Sequence, residues 1–161
     1  MRSSITKRLA LIAMIPATLL VVVAFASSAQ AAVTSTAKFQ SDIVRLTNNQ
    51  RVAHGCKALA VSPSLTKAAV GHSAWMARTG KFSHTGARNS TFAYRVKTAG
   101  YARPLGENIA FGYRTGADTV RAWMLSPGHR ANLLNCTSKT IGVGVAYAAN
   151  GTAYQTQEFG Y

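Results

Sequence analysis

The stretch that decides the fold is 141–159, which reads IGVGVAYAANGTAYQTQEF. Its first half alternates glycine with branched residues, a pattern typical of a strand that another backbone approaches closely. Asn150-Gly151 is a strong hairpin turn, and 154–159 then returns with alternating polarity. These features predict an antiparallel β-hairpin near the C-terminal end of the chain.

Two helical patterns lie well upstream of this hairpin. Apolar residues recur at helical spacing over 38–53, which predicts a first amphipathic helix. The second helix has clear signals at both ends, with Ser62 as its N-cap, Pro63 at its first position and Gly80 as its stop.

Shorter elements fill the middle of the chain. Helices are predicted at about 91–98 and 117–125, with the second of these stopping at 126–128. A short apolar strand is predicted at 108–113. Helices come first and hairpin strands last, which indicates an α+β fold with an antiparallel sheet.

The first 31 residues have the features of a signal peptide rather than of a folded segment. A basic start precedes the apolar run 9–25, and an Ala-x-Ala pattern ends at Ala31. An uncleaved anchor is the alternative, since the run is just long enough to span a bilayer. We therefore expect a secreted, extracellular monomer with a flexible lead-in at 32–37 and one domain at 38–161.

The chain is strongly basic. It has 18 basic and 4 acidic residues and a formal charge of +14, or +11 without the leader. Such a field attracts anionic cell-envelope polymers, acidic lipid surfaces and nucleic acid. Because the basic residues are spread out and form no known reader motif, nucleic acid is expected to bind only nonspecifically, if at all.

Cys56 and Cys136 are the only cysteines. In an exported protein an isolated pair most commonly forms a disulfide. A catalytic thiol and a metal ligand are the alternatives, but no CxxC spacing supports a metal site. The sequence therefore predicts one structural disulfide.

Three residues at the ends of predicted elements are candidates for chemistry. His84 follows the second helix, Glu107 begins the short strand, and His129 lies just past the fourth helix. Two neutral imidazoles can hold Zn²⁺ while a carboxylate orients them or activates a bound water. His72, in contrast, is interpreted as a packed or rim histidine because it belongs to an apolar helical stripe.

The motifs around these residues resemble the CAP superfamily (cysteine-rich secretory proteins, antigen 5 and pathogenesis-related 1 proteins) in its short bacterial form. The similarity covers essentially the whole mature chain. The matching motifs, in order, are NNQR at 48–51, FSH at 82–84, GENIA at 106–110, WMLSPGHRANLL at 123–134, IGVG at 141–144 and YQTQEFG at 154–160.

This resemblance implies a three-layer α-β-α sandwich with a small antiparallel sheet between helices. It also implies an open cleft where His84, Glu107 and His129 converge, with the two histidines able to coordinate a divalent metal such as zinc. Better-studied members place a second glutamate between the residues that match Trp123 and His129. This chain has no acid there, which weakens general acid/base hydrolysis.

The favoured function is an extracellular binding module for an envelope polymer, a lipid or a peptide, because such a module needs no complete catalytic set. One alternative is a metal-dependent, peptidase-like hydrolase in which Glu107 activates a water on zinc held by His84 and His129. Another is nonspecific binding of anionic polymers. Enzymatic activity is left open, with binding preferred.

Overall fold

The computed structural model describes the backbone of residues 18–161 and the side chains from Thr36 onward. The predicted signal peptide lies mostly outside this part and stays a prediction. The first helix, α1 (Thr18–Ala53), runs through 32–37, where a flexible lead-in was expected. Residues 34–161 form one compact unit, described below. No helix in the described part of the chain is long and apolar enough to cross a membrane.

The remaining helices and strands follow one another with short connections. In chain order they are β1 (Ala60–Val61), α2 (Pro63–Thr79), α3 (Phe92–Thr98), β2 (Pro104–Phe111), α4 (Gly116–Leu125), α5 (Pro127–Leu133), β3 (Thr140–Tyr147) and β4 (Ala153–Gly160). The strands form one sheet in the order β1-β3-β4-β2. The three long strands are antiparallel, as predicted, whereas the two-residue β1 pairs in parallel with β3 and is too short for a sequence pattern to reveal.

The ends of α2 confirm the sequence signals. Ser62 accepts a hydrogen bond from the backbone N–H of Leu65, Pro63 occupies the first helical position, and Gly80 ends the helix in a left-handed conformation with φ of 69°. Proline suits the first helical position because the N–H that it lacks would have no partner within the helix there. Glycine suits the end of the helix because it adopts the left-handed conformation without a steric penalty.

The prediction that 126–128 only stops a helix was incomplete. Ser126 ends α4, but Pro127 immediately takes the first position of α5. Proline is well suited to that position because its missing N–H has no intrahelical partner there. His129 therefore lies inside α5 rather than in a loop just past α4.

The sheet is the middle of three layers, which confirms the predicted sandwich. One face packs against α1, α4 and α5, and the largest buried cluster lies there, with Ile43 from α1 and Trp123 from α4. The other face packs against α2 and α3. Val143 faces the larger cluster, while its neighbours Gly142 and Gly144 face the backbone of α2.

The connections after α1 and α5 are joined at one end of the domain. Cys56 and Cys136 form a disulfide across 80 positions, as predicted. Closing a loop of that length stabilises a domain by about 4 kcal/mol in the chain-entropy model. Asn48 also holds the first connection, since its amide bonds both the N–H and the carbonyl of Leu59.

Candidate functional site

Glu107 is the centre of a buried network of charged and imidazole groups on β2. Its side chain is 1% exposed. His84 Nδ1 donates to one carboxylate oxygen at 2.7 Å, and Arg95 Nη2 donates to the other at 2.5 Å. His72 Nε2 lies 4.0 Å from the oxygen that Arg95 contacts. Both carboxylate oxygens of Glu107 therefore already have a partner.

Different elements of the α2 face supply the partners of Glu107. His84 comes from the loop after α2, and Arg95 comes from α3. His72 lies on α2, where its ring stacks on Trp75 and its Nε2 donates to the carbonyl of Ser83 at 2.9 Å. This contact fixes the loop that carries His84, so the buried histidine has a positioning role.

The electrostatics of the network favour an ionised Glu107. Burial alone would raise the pKa of this carboxyl group. The hydrogen bond from His84 and the positive charge of Arg95 outweigh burial, and the pKa is lowered from its usual value. Burial lowers the pKa of His72, with the charge of Glu107 opposing part of that shift. The site thus holds a stable carboxylate beside a neutral imidazole.

A second carboxyl group lies next to Glu107 on the neighbouring strand. Glu158 of β4 is the direct cross-strand partner of Glu107, and its side chain faces the same side of the sheet. It is fully buried, and no hydrogen-bond donor of the described residues reaches its oxygens. Burial, together with the charge of Glu107, raises its pKa well above the usual value. The protonated, neutral form of Glu158 is therefore favoured over the ionised form to a higher pH than for an exposed glutamate.

Replacing Glu158 with glutamine is expected to stabilise the domain at neutral pH. The folded state keeps a proton that the unfolded chain releases above about pH 4.3, so folding loses about 1.4 kcal/mol per pH unit as pH rises toward the folded-state pKa. Glutamine resembles the protonated acid and removes this loss. Urea unfolding at pH 5 and pH 8 should show a stability gain that grows with pH.

Asp118→Asn is the matched control for that experiment, because Asp118 lies on the surface of α4 and pairs there with Arg121. It should change stability little at either pH. A gain for Glu158→Gln that is the same at pH 5 and pH 8 would contradict the neutral form of Glu158.

His129 reaches the site from α5. Asn108 of β2 donates to the backbone carbonyl of His129 at 3.2 Å and accepts from Asn132 at 2.9 Å, so two amides hold α5 against the sheet. The ring is half-buried. Burial, followed by the charge of His84, lowers the pKa of His129.

An apolar pocket of about 260 Å³ adjoins His129. Its walls include Phe82, Phe111 and Tyr113, together with Trp123 beneath them. The rings of Phe82 and Phe111 contact each other with centroids 4.7 Å apart, and both are substantially exposed. The cleft is defined here as His84, His129 and this pocket. It combines imidazole nitrogens with an aromatic surface, which suits ligand binding.

The cleft fits a divalent metal only in part. Since Nδ1 of His84 donates to Glu107, its Nε2 is the nitrogen that can accept a metal, the usual carboxylate–histidine arrangement. His129 is the second candidate ligand. Glu107 is buried, and each of its oxygens already accepts a hydrogen bond. No group of three or more His, Cys, Asp or Glu in the described residues is arranged to hold a metal ion.

Sequence reasoning found three of the residues that meet here and missed two. His84 and Glu107 are in direct contact, His129 lines the neighbouring pocket, and His72 is packed as predicted. Nothing in the sequence pointed to Arg95 as a site residue, because a lone arginine on a short helix belongs to no distinctive motif or spacing. Glu158 was one of only four acids, and the register between β2 and β4 would have placed it beside Glu107.

The fold and the site define a secretory-protein domain of the CAP type, and comparison with known proteins agrees. The model of the cysteine-rich secretory protein family matches residues 44–159. The chain therefore belongs to this family.

Two relatives come from Bacillus subtilis. The uncharacterized protein YkwD is 36% identical over 126 residues, which are 78% of this chain and 48% of YkwD. The uncharacterized membrane protein YlbC is 35% identical over 121 residues, which are 74% of this chain and 34% of YlbC. The chain thus spans half or less of the length of these relatives.

Solved structures show the same fold. An extracellular protein with an SCP domain from Bacillus anthracis superposes with a TM-score of 0.68 at 31% identity, over 78% of this chain and 41% of that one. An outer surface protein from Borrelia burgdorferi gives a TM-score of 0.66 at 20% identity, over 73% of this chain and 87% of that one. The second similarity concerns the fold alone.

Proposed function

We propose that this chain is an extracellular binding module of the cell envelope, and that the cleft holds part of an envelope polymer, a lipid or a peptide. The observation that supports the proposal is that the carboxylate of Glu107 is buried and fully engaged by neighbouring side chains. Its two oxygens are occupied by Arg95 and His84, and its side chain is 1% exposed. A carboxylate in this position orients His84 and is poorly placed to activate a water, because it is buried and each oxygen already accepts a charge-assisted or imidazole hydrogen bond.

The apolar pocket beside His129 supports the same proposal. Exposed aromatic side chains that touch one another form a patch that a soluble protein usually keeps only for a partner. An apolar group of the ligand would enter between Phe82 and Phe111, and polar groups would meet the two imidazoles. The net positive charge of the chain would concentrate it at an anionic envelope.

A divalent metal is compatible with this proposal as an accessory. His84 through Nε2 and His129 would hold it, and the metal would supply positive charge for an anionic group of the ligand. Two protein ligands are fewer than the three that catalytic zinc sites use. Secretion, suggested by the leader and by the extracellular relative from Bacillus anthracis, is part of the same proposal.

The test is co-sedimentation with a purified bacterial envelope fraction, run beside cleavage of labelled casein with and without a chelator. We expect retention without cleavage. The double variant Phe111→Ala/His129→Ala should lose about tenfold or more in affinity, because it removes the aromatic wall and one imidazole together.

Two controls isolate the cleft. Tyr147→Ala removes an aromatic side chain that is 45% exposed, close to the 50% of Phe111, from the β3–β4 hairpin and outside the lining of the pocket beside His129. His54→Ala removes an exposed histidine at the end of α1. Both should bind like the wild type. Retention as tight in the double variant as in the wild type would overturn the cleft as the principal envelope-binding site, and chelator-sensitive casein cleavage would establish the hydrolase instead.

A further inference from the structure

A second groove lies between α2 and α3, and the 3₁₀ turn Ala87–Asn89 completes its lining. Its volume of about 720 Å³ is in the usual range of ligand sites. Along α2 it is lined by Lys67, Gly71 and Trp75 at four-residue spacing, a span of about 12 Å at the helical rise. It shares no lining residue with the pocket beside His129.

Gly71 indicates that the groove is kept open. A glycine inside a helix costs about 0.5–1 kcal/mol relative to alanine. No close contact requires it, because a Cβ built on Gly71 meets nothing within 4 Å among the described residues. A larger side chain would instead fill the groove. The glycine therefore costs helix stability at a position where no described atom requires it, and its missing side chain leaves space in the groove.

The lining combines aromatic surface with positive charge. Trp75 and Tyr94 contribute rings, and Tyr94 is exposed. Lys67 and Arg88 contribute the cations, and neither forms an ion pair with any described residue. None of the described residues that line the groove carries a carboxylate. The charge of the groove is thus complementary to an anion.

The backbone of the turn adds a second indication of function. Arg88 has φ of 54° and ψ of 35°, and Asn89 has φ of 57°. This left-handed conformation is uncommon for an arginine, and such strain concentrates at functional sites. In the lining, His72 Nδ1 and Arg95 Nε are buried polar atoms without a hydrogen-bond partner among the described residues. The groove is therefore polar beneath its aromatic rim.

The side chains of the groove select a class of ligand. Among the described lining residues, the aliphatic side chains are all alanines, which give an acyl chain little to pack against. Hydroxyl and amide groups are abundant instead, from Asn89, Ser90, Thr91 and Thr98. Aromatic rings pack on the apolar faces of sugars, while amides and hydroxyls bond their hydroxyl groups. We propose that this groove binds an acidic saccharide about two rings long, whose carboxylate or phosphate pairs with Lys67 and Arg88.

This proposal goes beyond the binding function of the cleft and does not depend on it. The experiment is isothermal titration of the purified protein with three probes: oligogalacturonate, a phosphate-bearing teichoic acid fragment, and the matching neutral galactose oligomer. An oligothymidylate is the fourth probe, since single-stranded nucleic acid also combines stacking with charge. One or both acidic saccharides should bind, which identifies the anionic group, and the neutral oligomer should bind about tenfold more weakly or worse.

Gly71→Phe is the decisive variant, because a Cβ at this position meets no described atom within 4 Å and the added ring would occupy the groove. Val70→Phe is its matched control, with the same added ring on the same helix at an exposed residue outside the groove lining. Equal urea midpoints establish that both variants fold. Saccharide affinity should fall about tenfold or more in Gly71→Phe alone, and Arg88→Gln should weaken the acidic probes selectively.

Three results would overturn the proposal. They are equal saccharide affinity in Gly71→Phe and Val70→Phe, equal binding of the neutral oligomer, and tighter binding of oligothymidylate than of either acidic saccharide. The cleft variant Phe111→Ala/His129→Ala should titrate like the wild type. Loss of saccharide binding in that variant would place the saccharide in the cleft instead, so failure of the groove is distinguishable from failure of the cleft.

Discussion

Replacing Gly142 with alanine is expected to destabilise the domain by about 3 kcal/mol or more, a large part of the stability of a typical domain. A Cβ built on Gly142 would lie 2.1 Å from the carbonyl carbon of Leu65 and 2.2 Å from the backbone nitrogen of Thr66. Carbon atoms normally approach to about 3.5–4 Å, so α2 would have to move away from the sheet. Both clashing atoms are backbone, which no rotamer change can relieve.

Gly71→Ala is the matched control for this prediction. It makes the same chemical change on α2, where the new methyl group meets no described atom, and it should stabilise the helix by about 0.5–1 kcal/mol. Urea unfolding of the two variants should therefore give shifts of opposite sign. A loss smaller than about 1 kcal/mol in Gly142→Ala would show that α2 does not lie on β3 as closely as described.

The alternation of glycine with branched residues in β3 was readable from the sequence for the same physical reason. A strand side chain points to one face or the other with a period of two, so 141–145 predicts one face for packing and one for close approach. Capping residues similarly marked both ends of α2. What the sequence did not reveal was α5, because a proline that ends one helix pattern equally well begins the next.

The site was predictable only where its residues lie in family motifs. FSH and GENIA identified His84 and Glu107, and the structure brings these two into contact. The residues that determine the charge state of Glu107 are Arg95 and Glu158, and both reach it through tertiary packing. Strand register and the approach of α3 decide those contacts, and neither leaves a short-range signature in the sequence.

The presence of Glu158 beside Glu107 bears on the glutamate that this chain lacks relative to the family motif. The second glutamate of better-studied members is absent between Trp123 and His129, yet the structure has a second carboxyl group beside Glu107. It lies beneath α2, fully buried, and its pKa is raised by burial and by the neighbouring charge. Glu158 is therefore a buried carboxyl group outside the cleft, and it does not take the place of the missing glutamate.

Replacing Arg51 with methionine is the second large effect that we expect, a loss of about 3–5 kcal/mol. Arg51 is fully buried near the end of α1. Its guanidinium donates to the backbone carbonyls of Lys57 at 3.0 Å, Leu133 at 2.7 Å, Asn135 at 3.0 Å and Ser138 at 3.2 Å. Methionine has a similar stem but no donor, so four carbonyls would lose their hydrogen bonds in a poorly hydrated place.

The arginine and the disulfide secure the same end of the domain by different means. The disulfide between Cys56 and Cys136 reduces the conformational entropy of the unfolded chain. Arg51 acts only in the folded state, where its planar guanidinium donates to carbonyls of both connections. Arg51→Lys should therefore be nearly as harmful as Arg51→Met, because one ammonium group cannot reach carbonyls on both sides. The exposed Val52→Ala is the control. Urea unfolding that shows lysine restoring most of the stability would mean that charge, and not the shape of the guanidinium, holds these connections together.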